Sequence, residues 1–359
     1  MSWDFCIIGG GIAGVSAAAR LSHLGSVLLL EAEAHLAHHT SGRSAALYEP
    51  NYGLPPVVAL SQASGGDLRT IDGGVLGPRG MLLVAGADQD REFAGDCHAL
   101  GLAPVSVEEA RDMVPILNRD TVALAAYGSH AEDIDTDRLL QAFAREARKN
   151  GAAIETGARV TGILRGEGSW RIRAAGTDHA ARILVNAAGA WADEVAQMAG
   201  VQPLGFTPLR RSMARMAAPG GANLSGWPLI MGVGESWYAK PDAGALIISP
   251  AEEDPSFPHD AWADDMVLAE GLARYQEMVQ PPVTRPIATW AGLRTFAPDR
   301  VLVIGPDPRQ PSFFWLAGQG GYGFQTSPAA SRLAADLLAG TPPAIDRATV
   351  AALSPARFG

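Results

Sequence analysis

The chain has 359 residues, of which 47% are hydrophobic and 18% charged, and its formal net charge is −10. That length allows two domains, or one large domain with an insertion, and the apolar share supplies a substantial core and excludes a disordered chain. The negative balance argues against non-specific nucleic-acid binding and against adhesion to an anionic membrane.

The first element is a short apolar strand, Phe5 to Ile8, which breaks into Gly9-x-Gly11-x-x-Gly14 and a run of small residues, Ala13 to Ala19. In this pattern the first glycine makes a tight turn, the second lets the backbone approach a pyrophosphate, and the third permits close helix–strand packing. The pyrophosphate then sits on unpaired N–H groups at the helix N-terminus. A second strand, Val27 to Leu30, ends at Glu31, which follows Gly11 by about 20 residues, where a carboxylate accepts bonds from ribose hydroxyls. Ile12, Ala13 and Ala32 belong to the same cradle.

His35, His38 and His39 come next and read as polar loop residues, because no carboxylate or cysteine joins them at metal-ligand spacing. In Ser41-Gly42-Arg43-Ser44-Ala45-Ala46, small residues and hydroxyls suit a backbone passing close to a cofactor. Tyr48 and Tyr52 follow on a Pro- and Gly-rich segment, and each either faces a ligand or packs in the interior.

Helices are expected over 57–72, 88–100 and 107–113, with strands on either side of Pro78-Arg79-Gly80 and over 122–127. Asp133, Asp135 and Asp137 precede an amphipathic helix, Arg138 to Asn150, and read as its acidic N-terminal cap rather than a calcium site. Strands are expected over 154–156, 159–165 (with Val160 a cofactor neighbour), 170–174 and 182–184. Asn186-Ala187-Ala188-Gly189-Ala190-Trp191 then makes a second small-residue turn after a buried strand.

The composition shifts at Pro203 to Pro208. Strands over 227–231, 236–240 and 245–249 read as a consecutive antiparallel set joined by tight turns. A helix over 260–279, a segment around Trp290-Ala291-Gly292-Leu293-Arg294 and strands over 302–305 and 313–316 follow. The last glycine-rich turn, Gly318 to Ser327, leads into a helix over 328–339. Cofactor-type turns at both ends of the chain imply one interrupted nucleotide domain. Cys6, within the first strand, reads as a small buried hydrophobe, and with only Cys97 beside it neither a disulfide framework nor a zinc site is expected. No signal peptide and no membrane span are expected, which points to a reducing bacterial cytoplasm, with peripheral membrane association as the other option.

Taken in order, these turns resemble the D-amino-acid oxidase superfamily of FAD enzymes. Stretches at 131–137, Arg210-Arg211-Ser212, Tyr238 to Gly244, Trp290 to Arg294 and Phe313 to Ser327 are similar to those of bacterial FAD-dependent D-arginine dehydrogenases. The resemblance implies an α/β chain with a glutathione-reductase-like Rossmann domain for FAD (1–58, 134–202 and 291–359) and an α+β substrate domain with an antiparallel sheet (59–133 and 203–290). It implies that Arg211 and Arg294 hold a substrate carboxylate, that Tyr52 and Tyr238 line the pocket, and that the Gly321 carbonyl accepts from the substrate amine. Glu49, Met81, Leu229 and Met231, with Tyr48, fall in the pocket. Gly292, Gly320, Tyr322, Gly323, Gln325 and Thr326 fall around the flavin. Independently of the resemblance, two arginines on apolar-flanked strands suit bidentate carboxylate recognition.

Two positions depart from the arginine-specific pattern, which carries an acidic residue near Met81 and His at Leu47. Glu49 is the nearby carboxylate. The implied activity is therefore oxidation of the Cα–N bond of neutral or apolar D-amino acids, with hydride transfer to flavin N5. N-methyl or cyclic secondary amino acids, or a non-catalytic flavoprotein subunit, are the alternatives. Trp315, Leu316 and Ala317 stand where sarcosine oxidases carry a flavin-linking cysteine, so FAD is expected to be noncovalent. A quinone or oxygen is implied as electron acceptor, and a monomer or homodimer as the assembly.

Overall fold

The computed structural model describes residues 2–359. Strand Ser2–Ile8 is flanked by Val27–Leu30 on one side and Thr177–Asn186 on the other, all parallel, with Ile8 aligned on both Leu30 and Asn186. Ala153–Glu155 extends the sheet beyond Val27–Leu30, and Phe313–Ala317 pairs with the end of Thr177–Asn186. Val160–Arg165 and Trp170–Ala174 add an antiparallel ribbon, and Val303–Pro306 completes eight strands. Val27–Leu30 is apolar throughout and buried throughout, as a strand covered on both faces must be. Helices Ile12–Leu21, Thr136–Lys149 and Gly323–Ala339 cover one face; Ala17, Ala18 and Ala19 allow the first of them to lie close to the sheet.

The second sheet has nine strands and is antiparallel except where Leu229–Gly232 runs parallel to Met81–Ala85. Leu229–Gly232, Tyr238–Asp242 and Ala245–Ser249 form the expected antiparallel set. The long partners Thr207–Ala217 and Ala288–Phe296 pair over nine positions. One face carries Leu82, Ile230, Leu246 and Ile248 against helix Asp265–Glu277; the other presents Met81, Met213, Leu229, Met231 and Tyr238 toward the first sheet. Leu47–Tyr48, Leu76–Pro78 and Glu132–Ile134 make a small third sheet between them.

Several boundaries move for identifiable reasons. The helix expected from 57 starts at Pro55, because proline is well placed in a first turn, where its missing N–H has no partner to lose. The helix expected from 260 starts after Asp264, which caps Met266 and Val267 N–H. The last helix begins at Gly323 and contains Pro328. The carbonyl that Pro328 cannot reach, that of Phe324, accepts from the Ser327 hydroxyl at 2.9 Å. Asp135 caps its helix as expected, whereas Asp133 pairs with Arg79 and Lys240. Ala288–Phe296 runs unbroken across the division expected at 290/291. Among the described residues, no helix is long and apolar enough to cross a membrane.

Candidate active site

The parallel strands Ser2–Ile8, Val27–Leu30 and Thr177–Asn186 end at one edge, where such sheets bind nucleotides. Gly9 has φ +108°, and a Cβ there would collide with the Ala187 carbonyl of the neighbouring turn. A Cβ at Gly14 would overlap the Gly9 carbonyl oxygen. Glu31 accepts from Gly10 N–H at 2.6 Å and from Glu33 N–H at 2.8 Å, which fixes its carboxylate at the edge. Ile12 N–H donates to the Ser41 hydroxyl at 3.0 Å. The buried Asn186 side chain donates to the Ala192 carbonyl at 2.7 Å and so shapes the second turn.

Two cavities meet at this edge. One is lined by Gly9, Gly11, Glu31, Ala32, Val160 and Trp191; the other runs on past Ile12, Ala13, Ser44, Ala45 and Ala46 to the second sheet. They share Gly11, Thr40, Ser41, Ala187 and Gly189, so they form one elongated channel. A ribose-type carboxylate at one end, glycines cleared of side chains in the middle and a wall of Gly292, Gly320, Gly321, Gly323 and Gln325 at the other fit a flavin dinucleotide laid along it.

At the inner end, Arg211 stands opposite Gly292, and Arg294 opposite Leu209, on adjacent antiparallel strands. The alternation of side chains puts both arginines on one face. Arg211 is 3% exposed. Its Nε donates to the Glu252 carbonyl at 3.0 Å, and its Nη atoms reach Glu235 at 2.8 Å and Glu253 at 3.3 Å. Arg294 lies 3.6 Å from the same Glu235 oxygen. The Tyr52 hydroxyl donates to the other Glu235 oxygen at 2.7 Å. Burial alone would push the Glu235 carboxyl up. Arg211, Arg294 and the Tyr52 bond outweigh it and hold the group below the ordinary carboxylate range. Burial, with the Glu235 charge beside it, pushes the Tyr52 hydroxyl far up, so it stays a donor.

A Cβ at Gly321 would sit 3.1 Å from Arg294 Cζ, so this glycine lets the guanidinium lie on the last turn. Tyr238 donates to the Met213 sulfur at 3.4 Å. Met81, Met213, Leu229, Met231 and Leu100 form the side wall, which soft methionine side chains make adaptable. Glu49 also faces this end. Its carboxylate accepts from Asn51 N–H at 3.0 Å and lies 2.9 Å from His130 Nε2. Burial raises its pKa against both contacts.

Some expected residues lie elsewhere. Tyr48 points away from the channel, and its hydroxyl donates to the Ser61 carbonyl at 3.2 Å. Gly42 serves the turn Thr40–Arg43, where a Cβ would strike the Ala37 carbonyl. Arg43 lines the channel, but its guanidinium holds Asp260 and the carbonyls of Ala261 and Ala291. Tyr322 packs on Tyr52, with ring centroids 5.2 Å apart, and Thr326 donates to the Tyr322 carbonyl. The expectation that no carboxylate joins the loop histidines is corrected. Glu33 lies 3.2 Å from His39 and Asp260 lies 3.4 Å from His38, and Glu33, His38 and His39 offer ligand atoms within 4.8 Å of one another. Glu235 was missed altogether. A non-glycine residue directly after Gly234 gives no sequence signal for a left-handed turn that aims a carboxylate at two distant arginines.

This is the construction of a flavin-dependent oxidoreductase. The profile of the FAD dependent oxidoreductase (DAO) family matches residues 4–337, and the chain belongs to that family. FAD is its cofactor. The hydrogen cyanide synthase subunit HcnC of Pseudomonas aeruginosa is 31% identical over 246 residues, 63% of this chain and 55% of that protein. The mitochondrial dimethylglycine dehydrogenase of Homo sapiens is 27% identical over 372 residues, 94% of this chain and 42% of that protein. The chain thus spans about half the length of these relatives. Glycine oxidase from Geobacillus kaustophilus has the same fold, with a TM-score of 0.82 at 22% identity over 98% of both chains.

Proposed function

We propose that the protein oxidises the Cα–N bond of a neutral or apolar D-amino acid to an imino acid, which water then converts to a 2-oxo acid and ammonia. The observation that carries this reading is the pair Arg211 and Arg294, on one face of adjacent strands, at the inner end of the channel and beside a methionine-rich wall. Two guanidiniums hold a carboxylate in a fixed orientation. Bound FAD supplies the two-electron acceptor for the hydride leaving Cα. The chain's own contribution is positioning. The arginines fix the carboxylate, the Gly321 carbonyl accepts from the amine, and Met81, Leu229 and Met231 receive the side chain. Tyr52, locked in its protonated form, serves as a hydrogen-bond donor and not as a base.

The D-amino-acid assignment rests on the sequence resemblance of these stretches to D-arginine dehydrogenases, whereas the relatives matched include a dimethylglycine dehydrogenase and a glycine oxidase, and the side wall does not suit a guanidinium. Met81 offers no charge, and Glu49 is already engaged by Asn51 and His130. Noncovalent FAD is supported by both cysteines lying outside the channel lining. A second reading, oxidation of an N-methyl or cyclic secondary amino acid, is supported by the relative named dimethylglycine dehydrogenase. A purely electron-carrying subunit would have no use for an arginine pair at the flavin end.

Anaerobic bleaching of the flavin band by paired D- and L-amino acids, sarcosine and proline tests the proposal. Bleaching by neutral D-amino acids is expected. Bleaching by N-substituted substrates alone would replace the first reading with the second.

A further inference from the structure

The place assigned to the substrate carboxylate is filled by the protein itself. Glu235 Oε1 lies 2.8 Å from Arg211 Nη1 and 3.6 Å from Arg294 Nη1, and its other oxygen accepts from Tyr52 at 2.7 Å. Glu235 sits on a short turn, Val233–Glu235, between two strands of the second sheet. Gly234 and Glu235 have φ of +67° and +52°. For a glutamate this backbone is strained and persists only where contacts over-determine it. The turn itself is anchored by the buried Val233, by Gly232 N–H donating to the Trp237 carbonyl at 3.0 Å and by Gly234 N–H donating to Asp96 at 2.7 Å, so any exchange falls to the Glu235 side chain.

Glu235 also stands at a boundary. An outer basin lined by Asn51, Gly53, Asp96 and Gly234 adjoins the inner channel, and Tyr52, Leu100, Met231 and Glu235 line both. The Tyr52–Glu235 bond therefore closes the wall between them. Gly53, next to Tyr52, has φ +113°, so each side of this wall is borne on a glycine-containing backbone.

We propose that Glu235 is an internal stand-in for the substrate carboxylate. It keeps Arg211 and Arg294 paired and spaced while the site is empty, and it is displaced toward the outer basin when a substrate carboxylate arrives. The inference deepens the proposed function and rests on its reading of the arginines as a carboxylate clamp. One anion replaces another, so the arginines are never left buried without a partner, a strongly unfavourable state. The exchange also sets specificity. A ligand without a carboxylate cannot compete for the guanidiniums, and the latch to Tyr52 stays shut against it.

The test titrates the FAD-loaded enzyme with benzoate, a carboxylate that lacks an amine, and follows the flavin absorbance. Binding to a site that is free only part of the time is weakened by the fraction that is free. The benzoate Kd is therefore expected to fall about tenfold or more in Glu235→Ala, corresponding to a subsite free in about one wild-type molecule in ten. An unchanged or raised Kd overturns the proposal. If Glu235→Ala does not retain FAD, Glu235→Gln takes its place, since its one oxygen can still accept from Tyr52 while its NH2 donor replaces the oxygen that faces the guanidiniums; the same fall is expected and the same result overturns. Arg294→Met in the same titration separates the two claims. Loss of benzoate binding there, with no change in the Glu235 variants, removes the stand-in and leaves the clamp. Wild-type benzoate affinity in Arg294→Met, or benzoate binding by none of the proteins, removes the clamp and the stand-in together.

Discussion

Arg211 and Arg294 reach the same oxygen of Glu235 although 83 positions of chain separate them, because Thr207–Ala217 and Ala288–Phe296 pair with Arg211 against Gly292 and Arg294 against Leu209. The shared carboxylate offsets the repulsion between the two like charges.

Arg294→Met removes one half of this anion site. Truncating one member of a buried, hydrogen-bonded charge pair typically costs about 3–4 kcal/mol, so kcat/KM for an amino acid is expected to drop about 10²–10³-fold. FAD content should be unchanged. Arg211→Met is expected to lower Tm as well, because Arg211 is buried and holds Glu235, Glu253 and the Glu252 carbonyl. Stopped-flow reduction of the flavin and a thermal melt check the pair; full activity in both variants would contradict the clamp.

Glu235 makes stability depend on acid. Its folded-state pKa is held below the unfolded one, so its contribution is complete above the ordinary carboxylate pKa of about 4.3 and fades as pH falls through the depressed folded value. Against Glu235→Gln, the wild type should keep a constant Tm advantage from neutral pH down to about pH 5 and lose it below. A difference that does not vary down to the acid limit of folding would show that the charge is not what matters.

Gly14→Ala places a methyl group against the Gly9 carbonyl, a rigid neighbour with no room to yield. The first helix must then lift from the first strand, at a cost of about 1–3 kcal/mol or more. A protein purified without its yellow colour, or with a much lower flavin-to-protein ratio, is the expected outcome.

Precipitation with acid provides a fourth check. Neither Cys6 nor Cys97 lines the channel, and burial pushes both thiols up, away from reactive thiolate. The flavin is expected in the supernatant; colour that stays with the pellet would indicate a covalent link through another residue.

Substituting Met81→Asp puts a carboxylate into the methionine wall. Flavin reduction is expected to shift toward cationic side chains such as D-lysine and D-arginine, measured as a change in the ratio of kcat/KM values between D-arginine and D-methionine. An unaltered ratio would show that the side chain does not reach Met81.

What could be read in advance was local. Gly9, Gly11, Gly14 and Glu31 announce themselves because a turn's backbone demands and a strand's end are written within a few residues. Asn186 to Trp191 and Gly320 to Gly323 were legible for the same reason. Direction was not. Tyr48 and Tyr52 share a segment, yet only Tyr52 faces the channel, since the short strand Leu47–Tyr48 turns the first ring toward Ser61. Arg43 looked like a cofactor residue, but strand Ala288–Phe296 and the 260–261 loop, more than two hundred positions away, claim its guanidinium. Glu235 was invisible on both counts: its aim depends on a left-handed turn, and its partners come from three other segments.

The central sheet has a bearing on how the protein is made. Ser2–Ile8 lies between Val27–Leu30 and Thr177–Asn186, and Phe313–Ala317 lies beyond the latter. Gly320 and Gly321, which line the channel, come later still. Until the segment that carries Phe313–Ala317 has been made, the central sheet lacks a strand and the channel lacks a wall. Such non-local pairing folds slowly and leaves apolar strand edges exposed meanwhile. Flavin supplied during expression is therefore expected to raise the yield of the finished fold, because the channel it fills exists only once these distant segments have paired.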